Sequence, residues 1–338
     1  MKNLFKRAMI FTDIHYGLKS NSDQHNDDCL NFTKWAVELG RQPQCDSCLF
    51  LGDYFNNRNN INIKTLNYAQ QGLELLGNAF KQTILIPGNH DCYFRDSRSI
   101  HSVSWARNIP NLEIINDFYN QGDCVFVPWL VGDEYQKLSQ CQGQYMFGHF
   151  ELPNFLMNSM VRMPDVGDVK TEYLQGVEQV FSGHFHKRQQ QENIWYMGNC
   201  FPHNFSDAGD DQRGCMILNW GAEPEFHQWP DTPRYRVFNI SEIIAEPQKH
   251  LMPNSYVRLN LDVDISYEEA TFIKENFVET YRLRELSLIS RKQDALTDDN
   301  ANINVEFESV DQIVNSQITN ISSDSYDNNM LLDIYRNL

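Results

Sequence analysis

The sequence predicts an α/β fold, a sandwich of two β-sheets flanked by helices, followed by a small β-α-β unit and paired C-terminal helices. Three observations carry that expectation. Over the first 90 residues short β-type apolar runs alternate with helix-period segments, the pattern of parallel strands joined by crossovers. Beyond residue 110 the runs follow one another more closely, with few long helical segments between them, which predicts a second and more antiparallel sheet. The early runs end in loops rich in Asp, Asn and His, the place where open α/β sheets bind ligands.

Taken in order, residues 8–11 form the first run and lead into Thr12-Asp13-Ile14-His15-Tyr16-Gly17. Cys29, Phe32, Ala36 and Leu39 then fall at helical spacing, with Ser22 or Asp23 as the start. Residues 48–51 make the next strand and run into Gly52-Asp53-Tyr54-Phe55-Asn56. Leu66, Ala69, Leu73, Leu76 and Phe80 mark an amphipathic helix, and the strand at 83–86 delivers Gly88-Asn89-His90-Asp91. A helix is expected at 97–109. Strands are expected at 112–115, 124–128, 144–147, 179–181, 194–197 and 215–220. Two of these end in further histidine loops, Gly148-His149 and Gly183-His184-Phe185-His186.

Pro224, Pro230 and Pro233 close this first domain near residue 235. A strand at 256–261, a helix at 267–281 and a strand at 286–289 make the small β-α-β unit of 236–293. Arg282, Arg284, Arg291 and Lys292 give that unit a basic edge, which reads equally as a solvated rim or as a DNA contact. Residues 294–304 are an acidic, Asn-rich linker. In 305–338 a Ser309-x-x-Gln312 capping box precedes Val310, Ile313, Val314 and Ile318 on one face, and Met330, Leu331, Ile334, Tyr335 and Leu338 form a second stripe. These helices either dock on their own chain or offer apolar faces to a partner helix.

A chain of 338 residues with 41% hydrophobic and 22% charged content buries a substantial core. It contains no apolar run of the length a membrane helix needs, and its start lacks the apolar segment of a secretory signal, so a cytosolic protein is expected. The eight cysteines are scattered, and Cys45-x-x-Cys48 has no second pair to complete a zinc site, so buried thiols are expected rather than disulfides. The net charge of −17 excludes a generally basic surface that coats nucleic acid, but it is uneven: residues 294–338 carry −8 of it. A local groove or a bound cation pair can still hold a phosphate backbone.

Any one of these polar loops is ordinarily a plain turn. Five of them, each after its own strand, make a constellation. Imidazole nitrogens with carboxylate and amide oxygens suit Mn²⁺, Fe²⁺ or Zn²⁺, and no thiolate is needed. Seven such ligands, one of them a bridging carboxylate, match two ions about 3.5–4 Å apart that activate water and neutralise charge on phosphoryl oxygens. His90 follows a ligand yet is itself spare, which suits acid–base work.

Through these five motifs, over roughly residues 1–235, the sequence resembles the calcineurin-like metallophosphoesterases. Within them it is similar to the nuclease subunits of SbcCD-type exonucleases, bacterial and phage relatives of the meiotic-recombination nuclease, with the short phage recombination subunit the nearest in length. The glycine in Asp13-Ile14-His15-Tyr16-Gly17-Leu18 is one feature of that branch. The resemblance implies a metallophosphoesterase sandwich with a capping β-α-β domain. It assigns Asp13, His15, Asp53 and His186 to one metal and Asp53, Asn89, His149 and His184 to the other, with Asp53 bridging. It makes His90 the residue that stabilises the transition state or protonates the leaving oxygen, with Asp91 orienting it. Many members carry a histidine where this chain has Asn56, which places Asn56 near the substrate; His203 is a second candidate for facing it.

The activity so implied is Mn²⁺-dependent exo- and endonucleolytic hydrolysis of DNA, with Mg²⁺, Fe²⁺ or Zn²⁺ as alternative ions. The implied assembly is a homodimer with an SbcC-like coiled-coil ATPase, bound through 305–338, in DNA recombination, repair or replication in the (host) cytoplasm. Two other readings stay open: a stand-alone phosphoesterase on nucleotides or phosphoproteins, and a scaffold for the ATPase with an idle metal site. The dimer surface is expected near the helices at 61–80 and 97–109.

Overall fold

A computed structural model describes residues 3–158, 161–165 and 169–290. The described residues form one compact unit. The partner-binding candidates Val310, Ile313, Val314, Met330, Leu331 and Ile334, the linker, and Arg291 and Lys292 lie outside the described residues.

The first sheet has the order β12-β11-β1-β2-β3-β4. Its centre is β1 (Arg7–Phe11), β2 (Ser47–Phe50), β3 (Gln82–Leu85) and β4 (Leu112–Ile114), all parallel. On one side β11 (Gly214–Asn219) runs antiparallel to β1, followed by β12 (Glu225–Gln228). Two long helices make the early crossovers. The first, α2 (Asp23–Arg41), follows the four-residue turn α1 (Leu18–Asn21) and is capped by the Ser22 side chain, which accepts from His25 N; the second, α3 (Ile63–Ala79), is capped by Asn62.

The second sheet has the order β5-β6-β7-β8-β10-β9, with β5 (Tyr119–Gln121), β6 (Cys124–Val127), β7 (Gly143–His149), β8 (Val177–Gly183), β9 (Gln189–Gln191) and β10 (Ile194–Tyr196). It is not the antiparallel sheet the close spacing suggests. β6, β7, β8 and β10 are parallel, and only the edge strands β5 and β9 pair antiparallel. Among the described residues the crossovers carry irregular segments, 3₁₀ turns and the single-turn α4 (Tyr135–Leu138) rather than long helices, so they have no periodicity to read in the sequence. The expected helix at 97–109 is likewise reduced to the 3₁₀ turn Ser104–Asn108.

Strand pleating sorts the core into layers. On β1, Met9 and Phe11 face the helices while Ala8 and Ile10 face the second sheet; on β2 and just past its end, Cys48 and Phe50 divide in the same way from Leu49 and Leu51. On β7, Tyr145 and Phe147 meet the first sheet and Met146 packs on the outer side. Burial on both faces is why these strands read as unbroken apolar runs. All eight cysteines are free thiols, and Cys45 and Cys48 belong to the helix-side core.

A third, all-parallel sheet, β13-β14-β15, comprises β13 (Arg234–Asn239), β14 (Ser255–Leu261) and β15 (Glu285–Ser290). Between them lie the single-turn α5 (Ile240–Ile243) and α6 (Tyr267–Tyr281), the latter with a Ser266/Glu269 capping box. β13, which begins just after the Pro233 taken as the boundary, adds a strand to the expected β-α-β unit. Arg284 does not serve a basic rim. Its guanidinium grips the Asp28 carboxylate on α2, with Nη2 2.7 Å from Oδ1. Beside it Tyr256 Oη donates to Gln24 (2.9 Å), and Lys19 lies 3.9 Å from the centre of the Tyr256 ring.

Candidate metal centre

Register brings the motifs together. Phe11 pairs with Phe50 and Phe50 with Leu85, so β1, β2 and β3 end level and their loops open on one edge. The first two loops continue to bond past the strand ends: Asp13 N donates to Gly52 O (3.0 Å), His15 N to Asp53 O (3.2 Å) and Tyr16 N to Tyr54 O (2.9 Å). In the second sheet His149 pairs with Gly183, which sets His149 beside His184. His184 N in turn donates to Asp13 (3.1 Å), joining the two sheets at the site.

Four of the expected ligands, Asp13 (φ 53°), His15 (φ 52°), Asp53 (φ 58°) and His184 (φ 86°), occupy the left-handed region. Such backbone costs an L-residue about 1–2 kcal/mol, and strain of this kind gathers at functional sites. Two glycines permit the close approach. A Cβ on Gly52 would stand 2.4 Å from His149 Nδ1, and one on Gly88 would stand 2.2 Å from Asp53 Oδ1.

Asp53 is the hub. Its Oδ2 lies 3.6 Å from His15 Nε2, and its Oδ1 lies 3.5 Å from His149 Nε2 while accepting from His90 N at 2.8 Å. On the Oδ2 side, Asp13 Oδ1 stands 3.8 Å from His15 Nε2 and 4.0 Å from His186 Nε2. On the Oδ1 side, Asn89 Oδ1 lies 3.1 Å from His149 Nε2 and 2.9 Å from His184 Nδ1. The seven expected ligands therefore fall into two sets that share Asp53.

The donor chemistry fits cations. His149 Nδ1 donates to the Leu51 carbonyl (2.7 Å), which aims Nε2 at Asp53 and Asn89. Both His15 ring nitrogens are buried with no hydrogen-bond partner. Asp13 and Asp53 are buried carboxylates whose ion-pair partners among the described residues are histidines, never Lys or Arg. Two buried carboxylates with only imidazoles as ion-pair partners are a place where a metal's positive charge would be stabilised. Burial opposes ionisation of Asp53, but His149, His15 and His90 outweigh it and hold the carboxyl well below the usual range. Burial would lower His149; Asp53 and Asp13 instead push it up to about 9. Burial, reinforced by His15, lowers His186 to about 4, leaving a neutral ring with a lone pair to give.

His90 does not meet Asp91. Its Nδ1 donates to the Asn56 carbonyl (2.7 Å), so the main chain of Asn56 fixes the tautomer and leaves Nε2 free. The Asp91 carboxylate is spent on the amides of Tyr54 (3.0 Å), Phe55 (3.0 Å) and Gly88 (2.9 Å) and on Ser102 Oγ, tying the second and third loops together. Burial and Asp53 push it up to about 6. His203, expected to face substrate, is 1% exposed and packs edge-on against His15 and His186.

Two contributors were missed. Glu151 Oε1 stands 3.5 Å from His184 Nε2, placing a carboxylate behind a ring that turns Nδ1 to the site. Its signal is the spacing of two from His149, the same spacing that joins Asp13 to His15 and His184 to His186. His25, buried in α2, donates from Nε2 to the His15 carbonyl (3.0 Å) and has no such signal.

Residues 6–188 match the family model described as calcineurin-like phosphoesterase. The chain belongs to that family. The two-sheet sandwich seen here is consistent with that family's fold. The chain is also 23% identical over 223 residues to "Exonuclease subunit 1" of Enterobacteria phage T4, a match covering 62% of this chain and 64% of the relative. The calcineurin-like chain thus spans a little under two thirds of that relative's length. Among the described residues no helix is long and apolar enough to cross a membrane.

Proposed function

We propose that this chain is the nuclease subunit of a DNA-processing complex, hydrolysing phosphodiester bonds at a centre that binds two divalent ions, Mn²⁺ foremost. The observation that carries the reading is Asp53, which turns one oxygen to each of two ligand sets. Asp13, His15, Asp53 and His186 would hold one ion, and Asp53, Asn89, His149 and His184 the other. Such ions supply Lewis acidity for activating water and stabilising charge on phosphoryl oxygens. The chain's own groups do the rest. The His90 ring lies beside Asp53 and His15 with Nε2 unspent, and it would hydrogen-bond a phosphoryl or leaving oxygen and exchange a proton with it. Asp91 and the Asn56 carbonyl keep that loop in place.

DNA as substrate and the need for a partner rest on the name of the phage relative, an exonuclease subunit, and on the sequence resemblance to SbcCD-type nucleases. In this reading residues 305–338 dock an SbcC-like ATPase, the third sheet covers the DNA, and two copies act together in the cytoplasm. The test is purified protein with Mn²⁺ and linear duplex DNA, with and without the ATPase. Metal-dependent release of nucleotides is the expected result. No cleavage under either condition, together with rapid turnover of small phosphodiesters, would replace it with a stand-alone phosphoesterase.

A further inference from the structure

His203 lies between β10 and β11, in a segment that supplies no member of the expected ligand set. Its main chain is fixed from two sides. Asp207 Oδ2 accepts from His203 N (2.9 Å), and the Tyr235 hydroxyl donates to the His203 carbonyl (2.8 Å). Asp207 is itself pinned by the fully buried Arg213, whose Nη2 donates to Oδ1 at 3.2 Å and whose Nη1 reaches Asp210 at 3.1 Å. These bonds hold the backbone and leave the ring alone.

The ring is 1% exposed, yet neither Nδ1 nor Nε2 has a hydrogen-bond partner. A buried polar group left unsatisfied costs about 1–3 kcal/mol, and a buried Arg–Asp brace that holds such a ring in place asks for a reason. Its surroundings give one. The ring centre lies 5.4 Å from that of His15 and 5.3 Å from that of His186, both edge-on. One nitrogen from each of His15, His186 and His203 lies within 4.8 Å of the others. Donors about 2.1 Å from a shared ion stand about 3–4.2 Å apart, so the three rings would close in by about 1 Å to share one ion.

We propose that His203 is a further nitrogen ligand of the ion held by Asp13, His15, Asp53 and His186. The inference rests on the two-ion reading above. It makes the two halves of the centre unlike: three imidazoles and two carboxylates on one side, against two imidazoles, an amide and the shared carboxylate on the other. With five protein donors against four, the His203 half would hold its ion the more tightly.

The test is metal binding by the full chain. Calorimetric titration of metal-free protein with Mn²⁺ should show two ions in the wild type. His203→Leu should weaken one of them by about 10- to 100-fold, the range seen when a supporting group of a metal site is lost, and leave the other unchanged. His203→Gln, which restores an oxygen donor, should lose less than His203→Leu. Crystals of the wild type soaked in Mn²⁺ should place a His203 ring nitrogen within about 2.3 Å of an anomalous peak. A peak more than about 3 Å from the ring, or wild-type binding of both ions by His203→Leu, would overturn the proposal and leave the two-ion reading standing. A wild type that binds no ion would remove both.

Discussion

Replacing Asp53 with Asn removes one charge while keeping shape, and asparagine tolerates the left-handed φ of 58° at this position. The bond from His90 N (2.8 Å) decides how the new amide turns, because only its oxygen can accept. The oxygen therefore stays at the Oδ1 position, 3.5 Å from His149 Nε2, and the NH₂ takes the Oδ2 position, 3.6 Å from His15 Nε2. One ion loses its ligand to a donor group, and the other keeps a neutral oxygen in place of a charged one. At an ion concentration of 100 times Kd each site stabilises the fold by about 2.7 kcal/mol, so two sites give about 5 kcal/mol. At about 2 °C per kcal/mol for a chain of this size, the wild type should melt about 10 °C higher with Mn²⁺ than in EDTA. The variant should lose at least half of that rise. Transition-state stabilisation by a metal is worth several kcal/mol, so phosphodiester hydrolysis should fall about 10²-fold or more. The assay is differential scanning fluorimetry with and without Mn²⁺, beside hydrolysis of a small phosphodiester; the EDTA baseline exposes any folding defect. A full Mn²⁺-induced rise with undiminished hydrolysis would refute the bridging role.

Four further outcomes are expected. His90→Gln should bind both ions as the wild type does and lose about 10²-fold in rate; wild-type turnover would remove His90 from the chemistry. Glu151→Gln, which weakens the carboxylate behind His184, should reduce affinity for one ion about 10-fold in a calorimetric titration. Arg213→Met leaves Asp207, 0% exposed, without its cation, and should cost about 3–5 kcal/mol in urea unfolding. A cost below about 1 kcal/mol would show that the pair is not needed to hold this segment. Deleting residues 305–338 should abolish co-purification with the ATPase and spare hydrolysis of small phosphodiesters.

Most of the candidate centre was legible in the sequence because the residue types that can hold a metal are few and because strands announce where loops begin. Asp13, His15, Asp53, Asn89, His149, His184 and His186 each stand at or just past a strand end, so chemistry and position were visible together. The central strands were legible for a related reason: burial on both faces leaves an apolar run that no surface segment mimics. What the sequence could not yield was direction and partnership across space. The second sheet runs parallel through irregular crossovers without periodicity. Asp91 looked like a partner of its neighbour His90, but the turn that carries both points the carboxylate at the amides of Tyr54, Phe55 and Gly88. Arg284 looked like part of a basic edge until the fold set it on Asp28, 256 residues earlier in the chain. His203 carried no ligand spacing at all, and only the docking of its segment brought its ring to His15 and His186. Residue type and local hydrogen bonding are properties of a short stretch of chain and can be read there. Which way a side chain turns, and what it meets, depends on sheet register and on the closing of distant segments, which only the folded structure decides.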